Sequence, residues 1–281
     1  MGYPTSATSN ASIGVPRRTT PWRTVAVIGR TAREGLEGVG GTVRFAVEVA
    51  RSAAQFRVWG PSLAVQMRLL GVDSLPIGAF IAVFAGIVLS LLASYSFTGA
   101  VPMYFVGTLV EKTVTMELAP VLTGLALAGR VGANIAAELG TMRVTEQIDA
   151  LETLSYDPYA YLVVPRVLAG TLMFPVVVGL AMLTGVASGW IASVSLLDLA
   201  SADFVKGLRL FFTAFDVQYG LAKSASFGFM VTLIGCVCGL RAGNGAAGVG
   251  RAATSAVVYS AVMILVLDAL WAVLWLHGMT L

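Results

Sequence analysis

Charge is scarce in this chain. Asp, Glu, Lys and Arg make up 12% of its 281 residues, about half the roughly 25% of a soluble globular domain. Histidine occurs once, as His277, and cysteine twice, as Cys236 and Cys238 in one apolar run. Catalytic and metal centres draw several His, Cys or carboxylate groups to one point. The sequence shows no such cluster, so no catalytic residue and no metal ligand is assigned. The two cysteines are too close for an ordinary disulfide and say nothing about redox compartment. A G-x-x-x-x-G-K-[ST] phosphate loop is absent, so any ATP hydrolysis must come from another chain. The stretch Gly243-Asn-Gly245-Ala-Ala-Gly248 fits the G-x-G-x-x-G fingerprint. It follows an apolar run rather than a strand, and it reads as a flexible turn. Residues 1–20 are polar and lack the apolar segment of a signal peptide; residues 1–21 read as a disordered cytoplasmic tail.

What the chain has instead is hydrophobicity. Apolar residues form 57% of it, and the mean hydropathy is +0.83. Several apolar runs reach the roughly 20 residues needed to cross a ~30 Å hydrocarbon layer. Backbone groups in lipid must bond within their own segment, so these runs should be helices. They do not alternate with period two, which argues against a membrane barrel. The fold class is therefore an all-α integral membrane protein with about five transmembrane helices. Spans are expected at about 75–97, 113–137, 167–194, 221–240 and 254–276, with Pro175 kinking the third. Glu111 and Lys112 suggest a short external piece before the second. Residues 22–72 mix arginines with Val, Leu and Phe, which suits a helix lying in the membrane interface, although Gly35, Gly38, Gly40 and Gly41 weaken it. Residues 73–281 form the membrane domain.

Basic residues set the orientation. Nine arginines precede the first span, and Arg143, Arg166, Arg241 and Arg251 lie in the 2–3 and 4–5 connections. The 1–2 connection has only Lys112, while Lys206, Arg209 and Lys223 in the 3–4 connection are offset by Asp198, Asp203 and Asp216. The positive-inside rule then puts the N-terminus in the cytoplasm and the C-terminus outside. The net charge of +3 points to anionic lipid headgroups rather than nucleic acid. Small residues at Gly124, Ala128, Gly132, Ala136 and Gly140 recur every four positions, as do Gly235, Gly239 and Gly243. That spacing lets helices approach closely, within the chain or across a dimer.

Charges inside membrane helices are costly and often functional. Four stand out: Glu117, Arg130, Glu138 and Asp268. Glu117 precedes Pro120 and could face a cavity. Arg130 lies nearly 20 Å further along a continuous helix, too far to pair with Glu117. Arg130 and Glu138 are candidates for structural ion pairs. Asp268 is the lone charge of the last span and needs a partner or water. Between spans two and three, Ile148, Leu151 and Leu154 fall three apart beside Glu146, Asp149 and Glu152. This predicts a short amphipathic cytoplasmic helix with an acidic face, able to dock into a groove on a partner protein.

The stretch from Glu117 to Arg166 carries E-L-x-P, A-G-R-x-G, A-E-L-G-x-M-R-x-T-E-Q, D-P and P-R in order. In these residues the chain resembles the MlaE/YrbE permease family, the membrane subunits of ABC transporters that work with MCE-domain proteins. A weaker likeness extends from about Trp59 to the C-terminus. The resemblance implies a permease dimer, with a second copy or a paralogue, on a dimer of cytoplasmic ATPases that hold ATP and Mg. It implies that the helix carrying Arg143, Glu146, Gln147, Asp149 and Glu152 is the coupling helix seated in the ATPase. It implies MCE-domain partners on the external side, membrane lipids as substrate, and a bacterial inner membrane location. Many relatives carry Arg before the Glu of E-L-x-P, where this chain has Met116. The residues leave two other functions to test: a membrane-embedded lipid-modifying enzyme, which would need a convergent catalytic cluster, and a passive anchor for an MCE assembly.

Overall fold

The computed structural model describes residues 40–97 and 101–278, with side chains as far as Leu274. The expected tail, Gly35 and Gly38 lie outside the described residues, and so does the side chain of His277. The chain divides into two compact units, 1–44 and 45–281. Of the first, residues 40–44 are described, and they are helical.

Every regular element among the described residues is helical. Helix α1 covers 40–52, so Gly40 and Gly41 stand within it. Then follow α2 (Phe56–Leu70) and α3 (Leu75–Ser96). Next come α4 (Phe105–Thr113), α5 (Ala119–Leu127) and α6 (Ala133–Val144), then the short α7 (Gln147–Thr153). The series ends with α8 (Val164–Leu196), α9 (Ser201–Leu210), α10 (Ala214–Leu240) and α11 (Gly245–Gly278). Five segments are long and apolar enough to cross a membrane: Phe56–Ser96, Phe105–Val144, Tyr159–Leu196, Ala214–Leu240 and Gly245–Leu274. The protein is an all-α integral membrane protein. Helix α7 joins spans at one end of the bundle, and α9 joins spans at the other.

The second span differs from expectation. The helical segment extends beyond 113–137 at both ends: it runs from Phe105 to Val144, 40 residues or about 60 Å. Glu111 lies within this helix and is buried, with 2% of its surface exposed. Lys112 is ion-paired at 2.5 Å with Asp216 of α10. Two π-turns, Val114–Leu118 and Ala128–Gly132, interrupt the helix. Pro120 accounts for the first, because its ring crowds the carbonyl four residues back and it has no N–H to offer it. The fourth span also starts early. Thr213 and Asp216 form a capping box that nucleates α10 at Ala214, which satisfies the free N–H groups of its first turn. Lys223, expected in the 3–4 connection, is consequently buried inside α10. Arg166, expected in the 2–3 connection, is buried in α8, and α8 runs through Pro175 as one helix. The glycine-rich stretch is not wholly a turn: Gly245, at φ +72°, starts α11.

Packing is inverted relative to a soluble bundle. In α3 the buried stripe is Gly78, Ala82, Gly86, Ser90 and Ala93. The large Phe80, Phe84, Val88 and Leu92 point out to where lipid would be. Lipid tails are as apolar as Leu, so helices associate through close backbone contact instead. A Cβ on Gly86 would sit 2.0 Å from the Gly185 carbonyl oxygen of α8, so α3 and α8 meet backbone to backbone. The runs noted in the sequence serve contacts within the chain. Cβ atoms at Gly124, Gly132 and Gly140 would lie 3.2 Å from Phe227, 3.4 Å from Val231 and 3.1 Å from Ala242. Gly235 and Gly239 of α10 pack in turn on Ile135 and Leu139 of α6. Two apolar clusters result. One, toward the α7 end, holds Phe45, Leu127, Ile148, Val163, Phe227 and Ile264. The other, toward the α9 end, holds Ala82, Val106, Val110, Val178 and Phe204.

Candidate functional site

The strongest concentration of buried charge lies where these two clusters meet. Lys223 stands about 14 Å into α10, between Leu221, which packs on the α9-side cluster, and Phe227 of the other. Its side chain is 0% exposed. Its Nζ donates to Glu117 Oε2 at 2.8 Å and lies 2.5 Å from Asp268 Oδ1. Three spans thus meet on one ammonium group. The backbone contributes as well. Pro120 cannot donate to the carbonyl of Met116, and that oxygen lies 3.4 Å from Lys223 Nζ. Tyr219, one turn earlier in α10, places its ring 5.4 Å from the ammonium, within cation–π range. Trp271 packs edge-on against Tyr219 with centroids 5.7 Å apart, and it donates to Ser226 Oγ at 3.0 Å.

The two carboxylates differ in access. The Glu117 side chain is 44% exposed and that of Asp268 is 26% exposed. Glu117 sits in the first π-turn, where the widened turn shifts side chains off the regular helical register. One ammonium facing two carboxylates leaves a net negative charge when all three are ionised. Such a charge at membrane depth is tolerated where it faces a water-filled cavity or a further partner.

Of the residues singled out in the sequence, Glu117 and Asp268 come together, and Lys223 is what joins them. Sequence reasoning placed Lys223 in a connection. The signal available was its position in the apolar start of a span, with two lone acids elsewhere in need of a cation. Arg130 and Glu138 do not pair with each other. Arg130, in the second π-turn, donates to Ser74 Oγ, and Ser74 donates to the Leu70 carbonyl at 2.7 Å. This ties the second span to the entry of the first. Glu138 accepts from Arg166 Nη2 at 2.7 Å, and Arg166 Nη1 donates to the Leu162 carbonyl.

The polar surface at the α7 end is of a different kind. Ile148 of α7 is buried and Leu151 packs on the same cluster. Leu154 lies beyond the end of the helix and is exposed, which departs from the expected three-residue stripe. The outward side of α7 presents Gln147, Asp149 and Glu152, preceded by exposed Glu146. Arg143 Nη1 donates to Asp149 Oδ1 at 2.7 Å, and Gln147 Nε2 donates to Thr145 Oγ1 at 3.0 Å. Glu146 and Ser155 flank the helix with φ of +60° and +59°. Left-handed conformations cost a non-glycine residue about 1 kcal/mol each and gather at switch regions.

At the α9 end, Phe97, Val101, Phe105, Thr108, Leu109 and Lys112 line an apolar cleft of about 260 Å³. Cys236 and Cys238 are free thiols. No group of three or more His, Cys, Asp or Glu side chains able to hold a metal occurs among the described residues.

Five helices long and apolar enough to cross a membrane, with a buried charged cluster inside the bundle, define a polytopic membrane protein, and intramembrane charge of this kind often marks a functional site. The comparisons with known proteins narrow this. The chain matches the family described as Permease MlaE over residues 63–274, and it belongs to the MlaE family of ABC transporter permeases. It is 40% identical over 239 residues to a probable ABC transporter permease protein of Rickettsia conorii, covering 85% of this chain and 92% of that one. It is 42% identical over 201 residues to a probable ABC transporter permease protein of Synechocystis, covering 72% and 76%. It is 33% identical over 203 residues to the chloroplastic protein Trigalactosyldiacylglycerol 1 of Arabidopsis thaliana, covering 72% and 58%.

Proposed function

We propose that this permease moves membrane lipids and is driven by a separate ATPase docked on α7. The observation that carries the lipid reading is the Lys223 cluster. It sets a charged triad within the bundle, with apolar helix surfaces around it and Glu117 exposed on one side. An amphiphile has the matching chemistry: a polar headgroup to meet the triad and acyl chains to lie along the apolar spans. The name of the Arabidopsis relative is that of a galactolipid, which supports the same class of substrate.

On this reading the α7 end faces the cytoplasm, in keeping with the arginine-rich N-terminal segment and the positive-inside rule. The acidic outward side of α7, with Glu146, Gln147, Asp149 and Glu152, meets the ATPase, which holds ATP and Mg. A second permease, copy or paralogue, completes the cavity at the Glu117 side. The α9 end faces outward from the bacterial inner membrane, toward an MCE-domain conduit. ATP-driven movement of α7 shifts the second and third spans, to which it is joined, and reshapes the surroundings of the triad.

Reconstitution of the permease with its ATPase in vesicles carrying a fluorescent phospholipid tests this. ATP-dependent redistribution of the lipid is expected, together with its loss in Lys223→Met. Lys223→Met protein that assembles and still moves lipid at the original rate overturns the role of the triad. Replacing Glu146 and Gln147 should leave an assembled complex that hydrolyses ATP without moving lipid. ATP hydrolysis with no lipid movement by the unaltered complex would point instead to a passive anchor.

A further inference from the structure

The 2–3 connection does more than present α7. Beyond α7 the chain turns through Ser155 in a left-handed conformation and reaches Asp157. The carboxylate of Asp157 is used on both sides. Its Oδ1 accepts the backbone N–H of Tyr159 at 2.9 Å, where the third span begins. Its Oδ2 accepts from Ser52 Oγ at 2.7 Å and from Gln55 Nε2 at 3.4 Å. Ser52 ends α1, and Gln55 stands just before α2. One side chain therefore ties the segment after α7 to the start of the third span and to the end of α1.

Apolar packing joins the same parts. Phe45 of α1 meets Tyr159 edge-on with centroids 5.4 Å apart. Phe45 and Val49 share the buried cluster that contains Ile148 of α7. Such packing holds α1 against the bundle, but it is non-directional and permits sliding. The hydrogen bonds at Asp157 have fixed geometry and set the register. The two left-handed residues, Glu146 and Ser155, bracket α7 and set it off from the spans on either side.

We propose that Asp157 is a latch: a positioning residue that makes α1 and α8 follow α7, so that the N-terminal helix is a moving part of the coupling apparatus. This inference rests on the reading that α7 receives the ATPase. It adds a path for the movement, from α7 through Asp157 to a helix outside the five spans.

The test uses the complete permease–ATPase complex. Asp157→Ser isolates the latch, because Ser caps a helix start as well as Asp does but is one bond too short to reach Ser52. Ser52→Asp combined with Asp157→Ser swaps the two groups and restores a bond between them. Amide hydrogen exchange is followed with and without nucleotide, alongside ATPase rate and lipid movement. In the unaltered complex, nucleotide should change exchange in both 147–153 and 45–52. Asp157→Ser should keep the first change and lose the second. Lipid moved per ATP should fall about tenfold, the scale of one hydrogen bond to a charged group, while ATPase rate changes less than about twofold. The swapped pair should recover both readouts.

The proposal is overturned if 45–52 does not respond to nucleotide in the unaltered complex, or if Asp157→Ser leaves that response and the coupling intact. It is also overturned if Asp157→Ser lowers assembly, ATPase and transport together and the swap restores none of them. A nucleotide response of 45–52 without any lipid movement would sink the lipid reading and leave the latch standing.

Discussion

The bundle holds ion pairs of similar length in two unlike places. Lys223 meets Asp268 and Glu117 at 2.5 and 2.8 Å inside the bundle, with its side chain fully buried. Arg143 meets Asp149 at 2.7 Å beside α7, with both side chains in the open. Distance alone would rank them as equals. Around the buried ammonium of Lys223, screening by water is weak, and removing one partner strands another. At the surface, water and salt reduce the attraction to about 0–1 kcal/mol. The buried cluster is therefore where a substitution should be felt in stability. The surface pair is free to serve recognition.

The largest effect should come from Lys223→Met. Removing one partner of a buried pair costs about 3–5 kcal/mol, and the exposure of Glu117 places this case toward the lower end. A fall in thermal unfolding temperature in detergent or nanodiscs, partly reversed by adding Glu117→Gln and Asp268→Asn, would establish the triad as one unit. Strict additivity of the three changes would break that view.

Gly86→Ala comes next. Its Cβ would fall 2.0 Å from the Gly185 carbonyl oxygen, and overpacking of this kind costs about 1–3 kcal/mol. Gly132→Ala meets its nearest neighbour at 3.4 Å and should change stability by less than about 1 kcal/mol. Equal effects at the two sites would contradict the backbone-to-backbone contact of α3 and α8.

Neutralising one carboxylate should cost less than removing the lysine, because Lys223 keeps the other. Asp268→Asn should exceed Glu117→Gln, since Asp268 is the less exposed of the two. The reverse order in unfolding temperature would mean that Glu117 is the principal partner. The smallest effect belongs to Arg143→Ala and Asp149→Ala. Each should alter stability by no more than about 0.5 kcal/mol, with any difference fading as salt is raised. A larger loss would show that this pair holds α7 in place.

Much of this was legible in the residues. The apolar runs predicted the helices and spans, and the alternation of small and large residues in α3 is visible in the sequence. The E-L-x-P to P-R series pointed to the family that the comparisons then showed. The short helix between spans two and three was also foreseen, from Ile148 and Leu151. Its end was misjudged at Leu154, because a three-residue spacing cannot tell where Ser155 leaves the helical region. Glu111 and Lys112, where the sequence suggests a break before the second span, lie inside a helix that starts at Phe105. A charged pair in sequence reads as a boundary, and the partner that Lys112 finds in Asp216 of α10 is invisible to local reading.

The sequence by itself determined that this is a five-span helical membrane protein of the MlaE family. Lipid demands internally bonded backbones and long apolar segments, and those are properties of local composition. Which charges meet was decided by the tertiary structure alone. Glu117, Lys223 and Asp268 stand on three different spans and are more than 40 residues apart along the chain. Ser52 and Asp157 are separated by 105 positions. Electrostatic attraction and hydrogen bonding act through space over a few ångströms. Only helix packing, governed by where glycines let backbones touch, determines which of these groups come within reach.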